Sequence, residues 1–522
     1  MGFLGTQSSC KPNAAAESNV IVGVTDTGIW PESNSFSGKG FGPPPQKWKG
    51  ACKGGQNFTC NNKLIRARVY TADSARDTEG HGSQTASTAA GNNVVNAKDI
   101  MAAFDDAIAD GVDLITVSLG LESSTEFYED AIAIGAFHAA EKGVLVKQSA
   151  DNSGTAGLQA LESTAPWILT VAASTTDRLF VDKVILGNGK TLTGLSINSF
   201  SLNTTKFPLV YGLQATSYCD EASARINTKY ELDDVSFVVP LSAITSSSED
   251  YDSVISYLNS TKEPKAEILR SETTKDKFAP IVASFSSRGP NSIPDISAPG
   301  VDILAAYSPV ASPSTTTIDK RRVKYKIISG ISMSCPHVAG VAAYVKTFHP
   351  HWSPSAIKSA LITTAFPMDA PMNQGAEFAY GSGHVNPVKA IDPRLVYDTV
   401  EGDNIRFLCS IGYDEDSIKN LAGNDTSCPK NSTKMLPRDF NYPTLTALVP
   451  AGRPFKELEI KVVPQILSFK SLTEKKSYNV TVSGKALDKR SMVSATLIWS
   501  DDTYDVRNPI VIHTNEGVSR AV

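Results

Sequence analysis

Short runs of β-branched residues alternate with helical periodicity through the first third of this 522-residue chain, and that alternation leaves few folds open. Asn19 to Thr25 is mostly β-branched with no helical period, which reads as a strand buried on both faces and ending at Asp26. Met101 to Asp110 reads as a helix, Val112 to Leu119 as a strand and Phe127 to Lys142 as a longer helix. Gly143 to Val146 and Trp167 to Ala172 read as the next two strands. Strands separated by helices join through right-handed crossovers into an α/β parallel sheet with helices on both faces. Ligands of such sheets sit at the carboxyl ends of the strands.

From about 174 to 280 the texture changes to Ser/Thr-rich segments with short strand-like pieces such as Val235 to Val239, which reads as an inserted module. The α/β character returns at Phe285 and runs through helices expected over Pro336 to Lys346 and Pro354 to Thr364. From about Asp439 onward, period-two segments such as Ser477 to Val482 and Ala495 to Trp499 predict a small β-sandwich.

Charge and hydropathy exclude several partner classes. Net charge is −5, with 49 basic and 54 acidic residues interspersed, so no basic stripe is available for a nucleic acid. The longest apolar run, Val338 to Val345, is far too short to span a membrane. Gly2 and Thr6 match a myristoylation pattern, but that pattern is short and common. Cys52 and Cys60 flank a Gly-containing loop in the manner of a local disulfide, and Cys409 and Cys428 offer a second one. The count of seven cysteines leaves at least one free thiol, with Cys219 and Cys335 as candidates. Glycosylation acceptors at Asn57, Asn203, Asn259, Asn424, Asn431 and Asn479 point with the cysteines to a secreted protein whose signal is absent from this chain.

Four polar residues stand where chemistry is expected. Asp26 lies at the end of the first strand, where it either projects into the ligand crevice or leads the chain out through an Asx-turn. His81 sits between Gly80 and Gly82 ahead of a helix of small side chains, as a placed imidazole or as part of a glycine turn. Asn152 follows a strand, as a hydrogen-bond donor or a turn residue. Ser332 precedes the helix that Pro336 is expected to open, as a nucleophile at the positive helix end or as an N-cap.

The order Asp, His, Ser is that of subtilisin. Val24 to Trp30, Gly80 to Ser83, Ser149 to Gly154 and Gly330 to Gly340 resemble the four signature blocks of the subtilisin-like serine proteases, more narrowly the plant cucumisin-like branch. Asp295 to Ile303, Tyr380 to Pro387 and Val506 to Val511 are similar to further stretches of that branch. The resemblance implies a subtilisin-like parallel sheet split over 1–173 and 281–400, a truncated protease-associated insertion at 174–280 and a truncated fibronectin-III-like sandwich at 435–522. It implies a serine endopeptidase with Asp26, His81 and Ser332 as triad and Asn152 as oxyanion donor. Ser118, Leu119, Gly120, Ala150 and Asp151 would bind a peptide substrate. No cofactor and no metal are expected.

The chain departs from the family at Gln84, where a second histidine is usual, at Asp151, where glycine is usual, and at Ile331, where threonine is usual. Between Asn96 and Met101 the family carries a glycine-rich stretch and one strand of the central sheet, and here the chain passes almost directly into a helix. Three rivals stand beside the protease. One is a catalytically impaired relative that binds without cleaving, from an incomplete gene model or a splice form. Another is an α/β-hydrolase, which requires G-x-S-x-G where Ser334 takes the place of the second glycine. The last is a metal hydrolase, for which His349 and His351 are too closely spaced.

Overall fold

The computed structural model describes residues 18–70, 72–89, 97–120, 125–154, 161, 164–195, 197, 207–209, 238, 248–289, 294–314, 319–400, 402–423, 425–429, 436–449, 458–484 and 492–514. In chain order, the first part comprises β1 (Val22–Thr25), α1 (His81–Ala89), α2 (Ala97–Asp110), β2 (Leu114–Val117), α3 (Ala131–Glu141), β3 (Leu145–Ser149) and β4 (Ile168–Ser174). Next come β5 (Arg178–Leu186), β6 (Thr191–Leu195), β7 (Phe207–Pro208), α4 (Ser248–Ser260), β8 (Lys265–Ile268) and β9 (Glu272–Lys275). The chain returns through β10 (Ile296–Pro299), β11 (Ile303–Ala306), β12 (Tyr325–Ile328), α5 (Ile331–Phe348) and α6 (Pro354–Thr363).

The central sheet has the order β1-β2-β3-β4-β10, every pair parallel. Successive side chains of a strand point to opposite faces, and the core divides accordingly. Leu114, Leu145, Leu169 and Ile296 pack with Val338, Val341 and Val345 of α5 and Ile357 and Leu361 of α6. Ile115, Val117, Val146 and Ile168 pack on the other face with Phe104 of α2 and Ile132 and Phe137 of α3. The expected elements are present with shifted ends. The largest shift is in α5, which starts at Ile331 and carries Pro336 inside it, so that proline does not open the helix.

Strands β5 to β9 make a separate antiparallel sheet around Val184, Leu186, Leu192, Tyr257 and Ala266. The strand expected over Val235 to Val239 lies outside the described residues except for position 238. Past α7 (Asp403–Ile411) and α8 (Glu415–Ala422), strands β13 (Leu445–Leu448), β16 (Met492–Ser500) and β17 (Asp505–His513) form one sheet and β14 (Leu458–Val463) and β15 (Asn479–Gly484) another. Ile510 and Ile512 close between them with Ile460, Val480 and Leu497. This carboxyl-terminal part is tied to the rest by polar bonds. Tyr397 donates to Asn508 Oδ1 (3.0 Å) and Tyr442 donates to the buried carboxylate of Asp295.

Disulfides join Cys52 to Cys60 and Cys409 to Cys428. Cys335 is free and buried, and Cys219 lies outside the described residues.

Candidate active site

Asp26 immediately follows β1 and is fully buried. Its Oδ1 meets His81 Nδ1 at 2.6 Å and accepts the Thr27 N–H at 2.7 Å, and its Oδ2 accepts the Thr85 hydroxyl at 2.8 Å. Thr85 lies one helical turn past His81, on the same face of α1. The amino end of α1 is fixed by a second buried carboxylate, Asp77, which accepts N–H bonds from Glu79, Gly80 and Ser83 at 2.7–3.0 Å. Glycine is required on both sides of the imidazole. Gly80 has φ +93°, and a Cβ on Gly82 would fall 2.1 Å from Gly28 O.

Ser332 is the second residue of α5 and is not its N-cap, which is Gly330. Proline has no N–H, so Pro336 leaves the carbonyl four residues earlier without its intrahelical donor. That carbonyl belongs to Ser332, and the Ser118 hydroxyl donates to it at 3.3 Å. The Ser332 hydroxyl in turn donates to Ser118 O at 3.4 Å. Thr25 and Val117 pair across β1 and β2, so the next residues, Asp26 and Ser118, leave adjacent strands side by side. Asp26 holds the imidazole and Ser118 holds the nucleophile candidate, which brings His81 and Ser332 to neighbouring strand ends. Among the described residues no hydrogen bond joins His81 to Ser332 directly. Helices α1 and α5 approach closely through Ala89 and Ala339.

Asn152 is exposed, and its Oδ1 accepts the Ile331 N–H at 3.1 Å, which leaves its NH2 group free to donate beside the start of α5. Asp151 sits at φ +76°, a backbone state that favours glycine. Its carboxylate accepts the Ser153 hydroxyl and its carbonyl accepts the Ser287 N–H at 3.0 Å. Ala150 is fully buried and bonds through its N–H to Val171 O. Leu119 is half-buried with its carbonyl held by the Gln148 amide, and Gly120 is exposed. Gln84 faces away from the crevice, donating to Ile303 O at 2.7 Å, and Ile331 packs against Ala173, Ala283 and Val301. Both departures are thus buried packing residues.

Burial opposes charge on His81, but Asp26, by its charge and its hydrogen bond, and then Asp77 and Glu79 outweigh it and raise the imidazole above its ordinary range. His337, buried and donating through Nδ1 to Met333 O, is pushed down to about 4 by desolvation. Among the described residues no group of three His, Cys, Asp or Glu side chains is arranged to hold a metal ion. Asp77 and Thr85 were not among the residues expected from sequence. The i to i+4 spacing from His81 is the one signal that marks Thr85.

A family model described as "Subtilase family" matches residues 93–383, and one described as "Fibronectin type-III domain" matches 449–512. Subtilisin-like protease SBT4.6 of Arabidopsis thaliana is 48% identical over 98% of this chain and 84% of its own length. Subtilisin-like proteases SBT4.4 and SBT4.13 of the same plant are 45% and 46% identical over the same shares.

Proposed function

Because this chain belongs to the subtilase family and is a serine endopeptidase, we propose that it cleaves peptide bonds through an acyl-enzyme built by Asp26, His81 and Ser332, with Asn152 as oxyanion donor. The observation that carries this reading is the 2.6 Å bond between Asp26 and His81 Nδ1, made beside the strand end that holds Ser332. With Nδ1–H donated to the carboxylate, Nε2 is the ring nitrogen left to take a proton. Ser332 Oγ attacks the scissile carbonyl as His81 accepts its proton, and Asp26 stabilises the imidazolium that forms. The oxyanion is met by the Asn152 amide and the Ser332 N–H, at the positive end of α5. His81 then returns the proton to the leaving amine, and water releases the acyl group by the same steps in reverse order.

The substrate strand pairs with Ser118, Leu119 and Gly120, and Ala150 and Asp151 form the wall beside the bond that is cut. The catalytic unit takes in 1–173 and 281–400, with 174–280 inserted and 435–522 as the terminal sandwich. Secretion is supported by the two disulfides and by the exposure of the acceptor asparagines Asn57, Asn259 and Asn479; no helix among the described residues is long and apolar enough to cross a membrane. The test is labelling of the purified chain with a fluorophosphonate. Label is expected on Ser332 and lost in Ser332→Ala and in His81→Ala; folded protein that takes no label would overturn the proposal.

A further inference from the structure

Asp26 is fully buried, so each oxygen of its carboxylate has to find donors inside the protein. Oδ1 has two, the Thr27 N–H at 2.7 Å and His81 Nδ1 at 2.6 Å. Among the described residues the donor to Oδ2 is the Thr85 hydroxyl, at 2.8 Å. Thr85 is itself fully buried, so bulk water cannot stand in for it. A threonine inside a helix commonly turns its hydroxyl back to a carbonyl of the preceding turn, and Gly82 O lies within reach at 3.2 Å. A hydroxyl has one proton to give. The shorter contact is the one to the carboxylate, and a charged acceptor makes the stronger bond.

The frame around this bond is well braced. Thr27 ties Asp26 to the start of α1, its hydroxyl donating to Asp77 Oδ1 at 3.2 Å and accepting the Gly82 N–H at 2.9 Å. His81 and Thr85, four residues apart on one face of α1, therefore hold the two oxygens of one carboxylate. We propose that Thr85 is a positioning residue for proteolysis: its hydroxyl fixes the orientation of the Asp26 carboxylate and draws off part of the negative charge that His81 faces. The proposal rests on the reading of Asp26 and His81 as members of the triad. The other charged groups acting on the imidazole are Asp77 and Glu79, in the turn before α1. Against that turn packs Tyr307, which follows β11; its ring abuts Gly80, its hydroxyl meets Glu79 O at 3.0 Å, and Lys326 of β12 lies 4.8 Å from the ring. Of these groups, Thr85 is the one that bonds Asp26 Oδ2.

The direction of the effect separates this role from a structural one. A carboxylate that loses a donor presents more charge to the imidazole, so the Asp26–His81 pair binds its proton more tightly. A carboxylate that merely swings loose breaks its bond to His81, and the imidazole titrates lower. Thr85→Val removes the hydroxyl and keeps the branched shape. Two readouts follow it: the rate of fluorophosphonate labelling against pH, and the titration of His81 by NMR of chain labelled with carbon-13 at histidine Cε1, the signal assigned by its loss in His81→Ala. We expect the limb and the titration to move up by about half a unit to one unit and the plateau rate to fall about tenfold. Thr85→Ser restores the hydroxyl and is expected to return both to the parent values. Circular dichroism screens for folding, and Thr85→Ala, which also lacks the hydroxyl, replaces Thr85→Val if the latter does not fold. A titration unmoved or moved down in the folded variant, or Thr85→Ser behaving like Thr85→Val, would overturn the proposal. The NMR titration needs no turnover: a parent chain that takes no label sinks the protease reading, whereas a labelled parent whose titration ignores Thr85 sinks this inference alone.

Discussion

A serine hydroxyl is a weak nucleophile near neutrality, so in the proposed mechanism turnover follows the uncharged fraction of His81. Burial lowers that imidazole's affinity for protons, and Asp26 with Asp77 and Glu79 more than restores it. The pH profile of kcat/KM is therefore expected to rise along a limb centred above 6.5, and Asp26→Asn should shift that limb to lower pH while cutting kcat. A limb unmoved by the substitution would contradict the assigned cause. The same rise makes His81 a stabilising group below pH 6.5 whose contribution disappears as pH climbs through its folded value. Asp151 poses a different problem, since φ +76° is costly for a residue with a Cβ. Asp151→Gly relieves that strain by about 1 kcal/mol and removes a carboxylate from beside Asn152, the proposed oxyanion donor. It should melt higher and turn over faster than the parent, which calorimetry and steady-state kinetics would check.

Strand β2 and helix α5 are locked by a reciprocal pair, Ser118 hydroxyl to Ser332 O and Ser332 hydroxyl to Ser118 O. Removing the first bond strands a buried carbonyl that Pro336 has already deprived of its helix donor. Ser118→Ala should cost about 1–3 kcal/mol in urea unfolding and lower kcat by misplacing Ser332, the proposed nucleophile. In β3, Lys147 is fully buried and donates to Leu145 O (3.2 Å). Burial drives its ammonium down to about 7 from 10.5, with Cys335 and Asp113 offsetting a part. The unfolded chain holds that proton more tightly, so the penalty is greatest below pH 7 and fades between 7 and 10.5. Lys147→Met should gain of order 3–5 kcal/mol at pH 6 and almost nothing at pH 10.5, measured by denaturant midpoints across pH. These elements also show what the residues disclose locally and what they do not. Strand β1 and the glycine-flanked His81 were legible because burial on both faces and crowding at a helix start leave a compositional mark. The start of α5 was not, because a proline inside a helix reads as an opening one unless the distant Ser118 hydroxyl is known to satisfy the freed carbonyl. Asp77 was missed for a similar reason: apart from the distant Thr27 hydroxyl, its donors are backbone N–H groups, which carry no side-chain signature.

Across the whole molecule, one buried polar cluster joins the catalytic sheet to the sandwich. Lys358 pairs with Asp295 at 3.0 Å and lies 4.4 Å from the Tyr442 ring, while the Tyr442 hydroxyl bonds the same carboxylate. Breaking such a pair leaves an uncompensated buried charge. Asp295→Ala is expected to lose about 3–5 kcal/mol, with unfolding of both parts shifted together when followed by Tyr and Trp fluorescence and by residual activity; loss confined to one part would refute the coupling. The parallel-sheet architecture was legible in the strand and helix alternation, and the sandwich in its period-two segments. The cluster between them was not, since Asp295 and Tyr442 lie far apart in sequence and neither residue type announces a partner. Its position has a consequence for biosynthesis. Translation makes Asp295 and Lys358 well before the phenol that completes their bonding exists, so a nascent chain stays short of its finished packing until its carboxyl-terminal residues have been made.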